Sequence, residues 1–145
     1  MSTTTAQALP RGVRNNNPGN IRLGTPWDGL QVSQTDKAFC QFVSPQYGIR
    51  ALCKLLLAYQ DFHDLKTVRG MINRWAPPED DNDTSAYVHA VASEMLVSPD
   101  QVIDCHDAIT LEAMATAIIH VECAHYAYPT TVIRAGVAMA DPGHV

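Results

Sequence analysis

The hydrophobic period of the sequence changes at Ser44. Residues 11–42 are dense in the turn formers Asn, Pro and Gly, with short extended candidates at 20–23, 30–32 and 39–42. After Ser44 the apolar residues recur about every 3.6 positions almost to the end of the chain. This change predicts a mainly α (α+β) fold in which a small N-terminal β-hairpin lobe precedes a helical body.

Capping residues and prolines divide the helical part into segments. We predict helices that begin after Ser44, Thr67, Asp83 or Thr84, Thr110 and Pro129 or Thr130, and a brief helical turn at 98–101. The first helix places Leu52, Leu55, Leu56 and Tyr59 on its inward stripe. With 145 residues and no linker, the chain predicts one domain over residues 11–145 after a mobile tail at 1–10.

Composition and charge exclude several classes of partner. The net charge of -5 gives no bulk cation excess, so we expect no nucleic-acid binding. No apolar run approaches the ~20 residues of a membrane span, so we expect no membrane insertion. The first eight residues contain neither a basic start nor an apolar stretch, and therefore no signal peptide is predicted.

The cysteines and histidines do not form a recognisable metal or redox motif. Cys40, Cys53, Cys105 and Cys123 are widely separated and have apolar neighbours, which is typical of reduced core thiols. The spacing of His120, Glu122 and His125 does not fit the H-E-x-x-H pattern of zinc enzymes. We therefore predict no metal and no cofactor.

Glu122 is the most informative anomaly in the sequence. The predicted inward stripe of its helix runs through Leu111, Met114, Ala115, Ile118 and Val121 and then reaches this carboxylate. Burial and the partial negative charge at a helix C-terminus both disfavour an ionised carboxylate there. A protonated carboxylic acid is what general-acid cleavage of a glycosidic bond requires. The alternative is a structural buried Glu paired with Arg14, Arg22 or Arg74.

Amide and aromatic side chains supply candidates for binding a sugar. Amides offer donors and acceptors to hydroxyl and N-acetyl groups, and aromatic rings offer apolar platforms. The candidate substrate-binding residues are Asn15, Asn16, Asn17, Asn20, Trp27, Trp75 and Tyr87. In the alternative interpretation the asparagines form a self-bonded turn and Trp75 belongs to the core.

Several of these motifs together resemble a known group of proteins. They are the run from Arg11 to Arg22, Trp27-Asp-Gly29, Phe39-Cys-Gln-Phe42 with Tyr47-Gly-Ile-Arg-Ala51, and Arg74-Trp-Ala-Pro-Pro with Asn82-Asp-Thr and Tyr87. The set resembles small phage and prophage virion proteins that are associated with peptidoglycan degradation. The resemblance covers about residues 11–139.

A looser similarity concerns the glucosaminidases of the lysozyme-like superfamily. Asn16-Asn17, Trp27-x-Gly29, the predicted hairpin and Trp75-Ala-Pro occur in the order found there, but no acidic residue precedes Asp28. The helix that bears the catalytic Glu in that family corresponds here to the one ending at Glu122. The similarity thus implies a circularly permuted lysozyme-like fold.

These resemblances imply cleavage of peptidoglycan glycan strands, as a muramidase, glucosaminidase or lytic transglycosylase, with Glu122 as general acid. A hydrolase would add a second carboxylate, for which Asp36 is the first candidate and Asp28 the next.

The implied partners are the glycan strands and other virion or tail proteins. The implied setting is the virion, or the host cytoplasm during synthesis, with action in the periplasm. An anti-wall toxin would use the same chemistry. The alternative class is a non-catalytic virion structural or glycan-binding protein, which Cys123-Ala124 after Glu122 and the low basic content favour.

Overall fold

The computed structural model describes residues 9–143, and these are mainly helical. The predicted tail at 1–10 therefore lies, except for Leu9 and Pro10, outside the described residues. The elements in chain order are α1 (Arg11–Arg14), α2 (Pro45–His63), α3 (Val68–Trp75), a 3-10 turn (Pro78–Asp80), α4 (Thr84–Met95), α5 (Ala108–Glu122) and α6 (Thr130–Ala140).

The N-terminal region is irregular where a hairpin was predicted. Within the described residues it contains two isolated antiparallel bridges, Arg22 with Phe39 and Leu30 with Phe42. Side chains take up backbone groups that a sheet would pair: the Asn17 amide donates to the carbonyls of Ile21 and Cys40. Because these side-chain bonds occupy backbone carbonyls that strand pairing would otherwise use, the chain folds into a layer of turns rather than a β-hairpin.

Helix α2 forms the centre of the core. Ile49, Leu52, Cys53 and Leu56 on this helix are completely buried, and α6 packs along it at Gly136. A methyl group at Gly48 would overlap the carbonyl oxygen of Asn16, so the N-terminal turn rests directly on α2. This close approach fixes the turn relative to the helical body.

Some predicted helical details were wrong. Helix α5 begins at Ala108 after Asp107, and Thr110 lies inside its first turn with its hydroxyl donating to Asp107 Oδ2 at 2.8 Å. At 98–101 a brief helical turn was predicted, but the structure has a non-helical turn. The Gln101 N–H donates to the Ser98 carbonyl oxygen there. Val121, placed on the inward stripe of α5, is exposed.

All four cysteines are free and buried, as the sequence predicts. Burial raises the pKa of the Cys105 thiol to about 12 and that of Cys123 to about 11. These thiols are therefore neutral packing groups at physiological pH.

His106 connects the end of α2 to the turn after α6. Its Nε2 lies 2.8 Å from Asp61 Oδ1, and its Nδ1 contacts the carbonyl oxygen of Pro142. The hydrogen bond to Asp61, followed by the one to Pro142, raises the pKa of His106 above its usual value. Only the doubly protonated imidazolium donates to both partners at once.

This contact predicts a pH-dependent stability. The stabilisation from a raised histidine pKa is fully present below the unfolded value of about 6.5 and is lost as pH rises through the higher folded value. We expect the free energy of unfolding to fall by about 0.5 kcal/mol between about pH 6 and pH 8. Urea titrations of the parent and His106→Asn proteins measure this, with exposed His89→Asn as the control. An unchanged slope in His106→Asn would contradict the assignment.

Candidate active site

An open cleft of about 370 Å³ lies between the N-terminal turn, α2, the segment after α3 and the end of α5. The polar residues that line it are Asn20, Arg22, Asp80, Asn82 and Glu122, and the aromatic residues are Phe39, Tyr59 and Trp75. Residues from both halves of the chain therefore contribute to one concave surface, which is the usual form of a ligand site.

Glu122 lies half-buried at the cleft, as the last residue of α5. Its Oε1 accepts a hydrogen bond from Asn20 Nδ2 at 2.9 Å, and its Oε2 accepts one from the Tyr87 hydroxyl at 2.7 Å. Asn20 and Glu122 are 102 positions apart in sequence, so the tertiary fold creates this contact. Both carboxylate oxygens are held by neutral donors.

The alternative in which Glu122 is paired with an arginine does not occur among residues 9–143. Arg14 donates to the carbonyl of Leu9, Arg22 lies over the ring of Phe39, and Arg74 lies over the ring of Tyr59. No ion pair of the described residues includes Glu122. The carboxylate therefore faces the cleft without a cationic partner.

Tyr87 is oriented by Trp75. The Trp75 indole N–H donates to the Tyr87 hydroxyl oxygen at 3.1 Å, and because an indole nitrogen only donates, the phenolic proton is directed to Glu122. Burial, followed by the nearby charge of Glu122, raises the pKa of Tyr87 far above its usual value. Tyr87 is thus a neutral donor behind the carboxylate, whereas the sequence suggested a sugar platform.

The asparagines of the turn divide into two groups. Asn15 donates to Asp36, Asn16 to the Phe42 carbonyl and Asn17 to two backbone carbonyls, so these three are engaged in holding the turn together. Asn20 alone of the four lines the cleft. Its backbone φ of 51° is a left-handed conformation that Asn tolerates better than most residues, and it aims the side chain at Glu122.

The two aspartates predicted as second carboxylates do not line the cleft. Asp36 accepts hydrogen bonds from the Arg11 side chain, from Asn15 and from the N–H groups of Ala38 and Phe39. These bonds, that of Arg11 first, hold the pKa of Asp36 well below its usual range. Asp28 has a 75% exposed side chain and pairs with Arg50 at 3.3 Å.

The two tryptophans are placed differently. Trp27 is half-buried, packs against the core and does not line the cleft. Trp75 lines the cleft, and the edge of its indole ring lies against Gly19, where an added Cβ would be 3.2 Å away. Trp75 therefore packs against the turn, as the core interpretation predicts, and also presents an aromatic surface to the cleft.

Sequence reasoning did not single out Phe39, Tyr59, Asp80 and Asn82 as site residues, although they line the cleft. Tyr59 was assigned to the inward stripe of α2, and Asp80 and Asn82 belong to an acidic run that reads as a solvated loop. Phe39 was expected only as part of a strand. A helical stripe does not reveal which of its members borders a cavity, so Tyr59 carried no distinguishing signal.

The histidines near Glu122 face another way. His120 Nδ1 lies 2.8 Å from Glu94 Oε1, and its ring contacts that of His125. Over the part of the chain that the structure describes, no group of three His, Cys, Asp or Glu side chains is arranged to hold a metal ion. Over the same part, no helix has the length and apolar character that crossing a bilayer requires.

The fold and the site define a mainly helical protein in which a carboxylate held by neutral donors lies at an open cleft with aromatic residues in its lining. The chain matches no family model. It is 34% identical over 140 residues to protein P5 of Pseudoalteromonas phage PM2, an alignment that covers 94% of this chain and 85% of that protein. The chain therefore belongs to the family of this phage protein. The resemblance to phage proteins is confirmed, whereas the name of the relative states no activity.

Proposed function

We propose that this protein cleaves the glycan strands of peptidoglycan, with Glu122 as the general acid. The observation that carries the proposal is the half-buried Glu122 carboxylate at the wall of an open cleft, held by Asn20 and Tyr87 and free of any cationic partner in residues 9–143. Aromatic and amide groups around it suit a sugar chain, because they match apolar sugar faces and N-acetyl or hydroxyl groups.

The proposed reaction begins with protonated Glu122. It donates its proton to the oxygen of the β-1,4 bond between two amino sugars as the bond from that oxygen to the anomeric carbon breaks. In the transglycosylase route, a hydroxyl of the same sugar attacks the anomeric carbon and its proton returns to Glu122. Asn20 and Tyr87 hold the carboxylate in place through both half-steps and stabilise its ionised form between them.

A hydrolytic route needs a second carboxylate or a positioned water. Asp80, on the 3-10 turn beside the cleft, is better placed than the Asp36 and Asp28 suggested by sequence. Asp80 is exposed to solvent, so it suits a general base that activates a water molecule better than a buried nucleophile. We therefore assign the second role, if the enzyme is a hydrolase, to Asp80.

We also propose that the fold is a circular permutation of the lysozyme-like arrangement. The support is the direct contact between Glu122, near the C-terminal end, and Asn20, in the N-terminal turn that the similarity places after the catalytic helix. Membership of a phage protein family supports a place in a phage or prophage virion. We propose that the protein acts from there on the cell wall in the periplasm.

Incubation of the protein with purified sacculi tests the proposal. We expect the turbidity to fall and soluble glycan fragments to appear, and mass spectrometry of their ends distinguishes the routes. Anhydro-sugar ends indicate transglycosylation and new reducing ends indicate hydrolysis. No released fragment at any pH between about 4 and 8 would refute glycan cleavage.

The second candidate function is a virion subunit that binds glycan without cleaving it. The observation that favours it is that both oxygens of Glu122 already accept hydrogen bonds from protein donors, as in a structural carboxylate. Co-sedimentation with intact sacculi in the absence of released fragments is the outcome expected of this candidate.

A further inference from the structure

A second, wider groove adjoins the cleft. It has a volume of about 820 Å³ and shares Leu55 and Tyr59 with the cleft, and its outer part contains Arg74, Pro77 and Glu79. We call it the side groove. The shared Tyr59 makes the two depressions one continuous surface.

The segment 74–80 contributes residues to both depressions. Arg74 and Glu79 border the side groove, while their chain neighbours Trp75 and Asp80 border the cleft. Tyr59 borders both depressions. A ligand that lies beside Trp75 in the cleft and extends past Tyr59 therefore reaches the side groove.

The side groove carries opposite charges, and within residues 9–143 neither Arg74 nor Glu79 belongs to an ion pair. The exposed Arg74 guanidinium lies 5.5 Å from the centre of the Tyr59 ring. A guanidinium carries five N–H donors, so Arg74 keeps donors available for a carboxylate while it contacts the ring. The groove therefore offers both a cation and an anion to a ligand that itself carries charged groups.

The glycan backbone of peptidoglycan presents hydroxyl and N-acetyl groups, which are uncharged. The stem peptides attached to it carry carboxylates and a free amine, which complement Arg74 and Glu79 respectively. We propose that the side groove binds the stem peptide of the strand held in the cleft, with Arg74 pairing with a peptide carboxylate. This inference rests on the proposed function and specifies its substrate as glycan that still bears peptides.

The experiment compares two substrates, peptide-bearing glycan strands and the same strands stripped of peptides by an amidase, with the lactyl carboxylates that the amidase exposes converted to uncharged methyl amides. The Arg74→Gln variant should lose about 10-fold in kcat/KM on the peptide-bearing strands, mainly through KM, and less than about twofold on stripped strands. Arg74→Lys should recover part of the loss, because it keeps the charge without the planar donor edge. Arg134→Gln, which removes an exposed arginine on α6 paired with Glu112, is the matched control.

Equal losses on both substrates, or none on either, would overturn the peptide assignment while leaving glycan cleavage intact. If the parent protein cleaves neither substrate, the proposed function fails, and co-sedimentation then tests the groove by itself. Tighter binding of peptide-bearing than of stripped strands, abolished by Arg74→Gln, supports the assignment in that case. Equal binding of both overturns it.

Discussion

Replacing Glu122 with glutamine is expected to lower the rate of sacculus lysis by about 10³-fold, within the range that removal of a general acid produces. The amide has nearly the shape of the carboxyl group but has no proton to give to the leaving oxygen. We expect KM to change little, because the walls of the cleft remain in place.

The substitution should leave the fold intact. One of the two donors, Asn20 or Tyr87, will face the new NH₂ group of the glutamine. Within residues 9–143 the Asn20 Oδ1 atom is buried without a partner. If the Asn20 amide rotates by 180°, this oxygen accepts a hydrogen bond from the new NH₂ group. The expected loss in free energy of unfolding is therefore about 1 kcal/mol or less.

Glu112→Gln provides the matched control. Glu112 lies on the same helix and pairs with the exposed Arg134, so its substitution removes a surface ion pair of small effect. Rates from the two variants are compared alongside thermal melts. Retained lysis in Glu122→Gln would exclude Glu122 as the acid, and equal losses in both variants would indicate damage to α5 rather than to chemistry.

The helical body could be predicted from sequence because each helix carries its own signals. The period of 3.6 after Ser44 and the cap at Thr67 are local signals, and the structure has helices that begin at both places. The N-terminal region could not be predicted in this way. Its turns depend on amide side chains such as Asn17 that bond to residues more than 20 positions away, and sequence spacing does not specify such partners.

The site could be predicted in part. A carboxylate at the end of an apolar helix marks Glu122, and the Asn-rich turn marks the region that contains Asn20. The contact between them spans most of the chain, so nothing local distinguishes Asn20 from Asn15 or Asn17. Tyr87 likewise reads as an inward helix residue, and its role depends on the hydroxyl reaching Glu122 from a neighbouring helix.

The Tyr87→Phe substitution is expected to lower kcat by about 10 to 100-fold with little change in KM. Tyr87 is buried behind Glu122 and does not line the cleft, so its loss affects the position of the carboxylate rather than substrate contacts. It also leaves the Trp75 indole N–H without an acceptor, for which we expect a loss of about 1 to 2 kcal/mol in the free energy of unfolding.

Measuring kcat well below the melting temperature of the variant separates a positioning role from a general loss of stability. At such temperatures nearly all of the protein is folded, so a loss of kcat reports a change in the position of Glu122. Tyr126→Phe is the matched control, since Tyr126 packs edge-on against Tyr128 and a phenyl ring retains that contact. A Tyr87→Phe protein that loses stability but keeps the parental kcat at these temperatures would show that the hydroxyl supports the fold and does not position the acid.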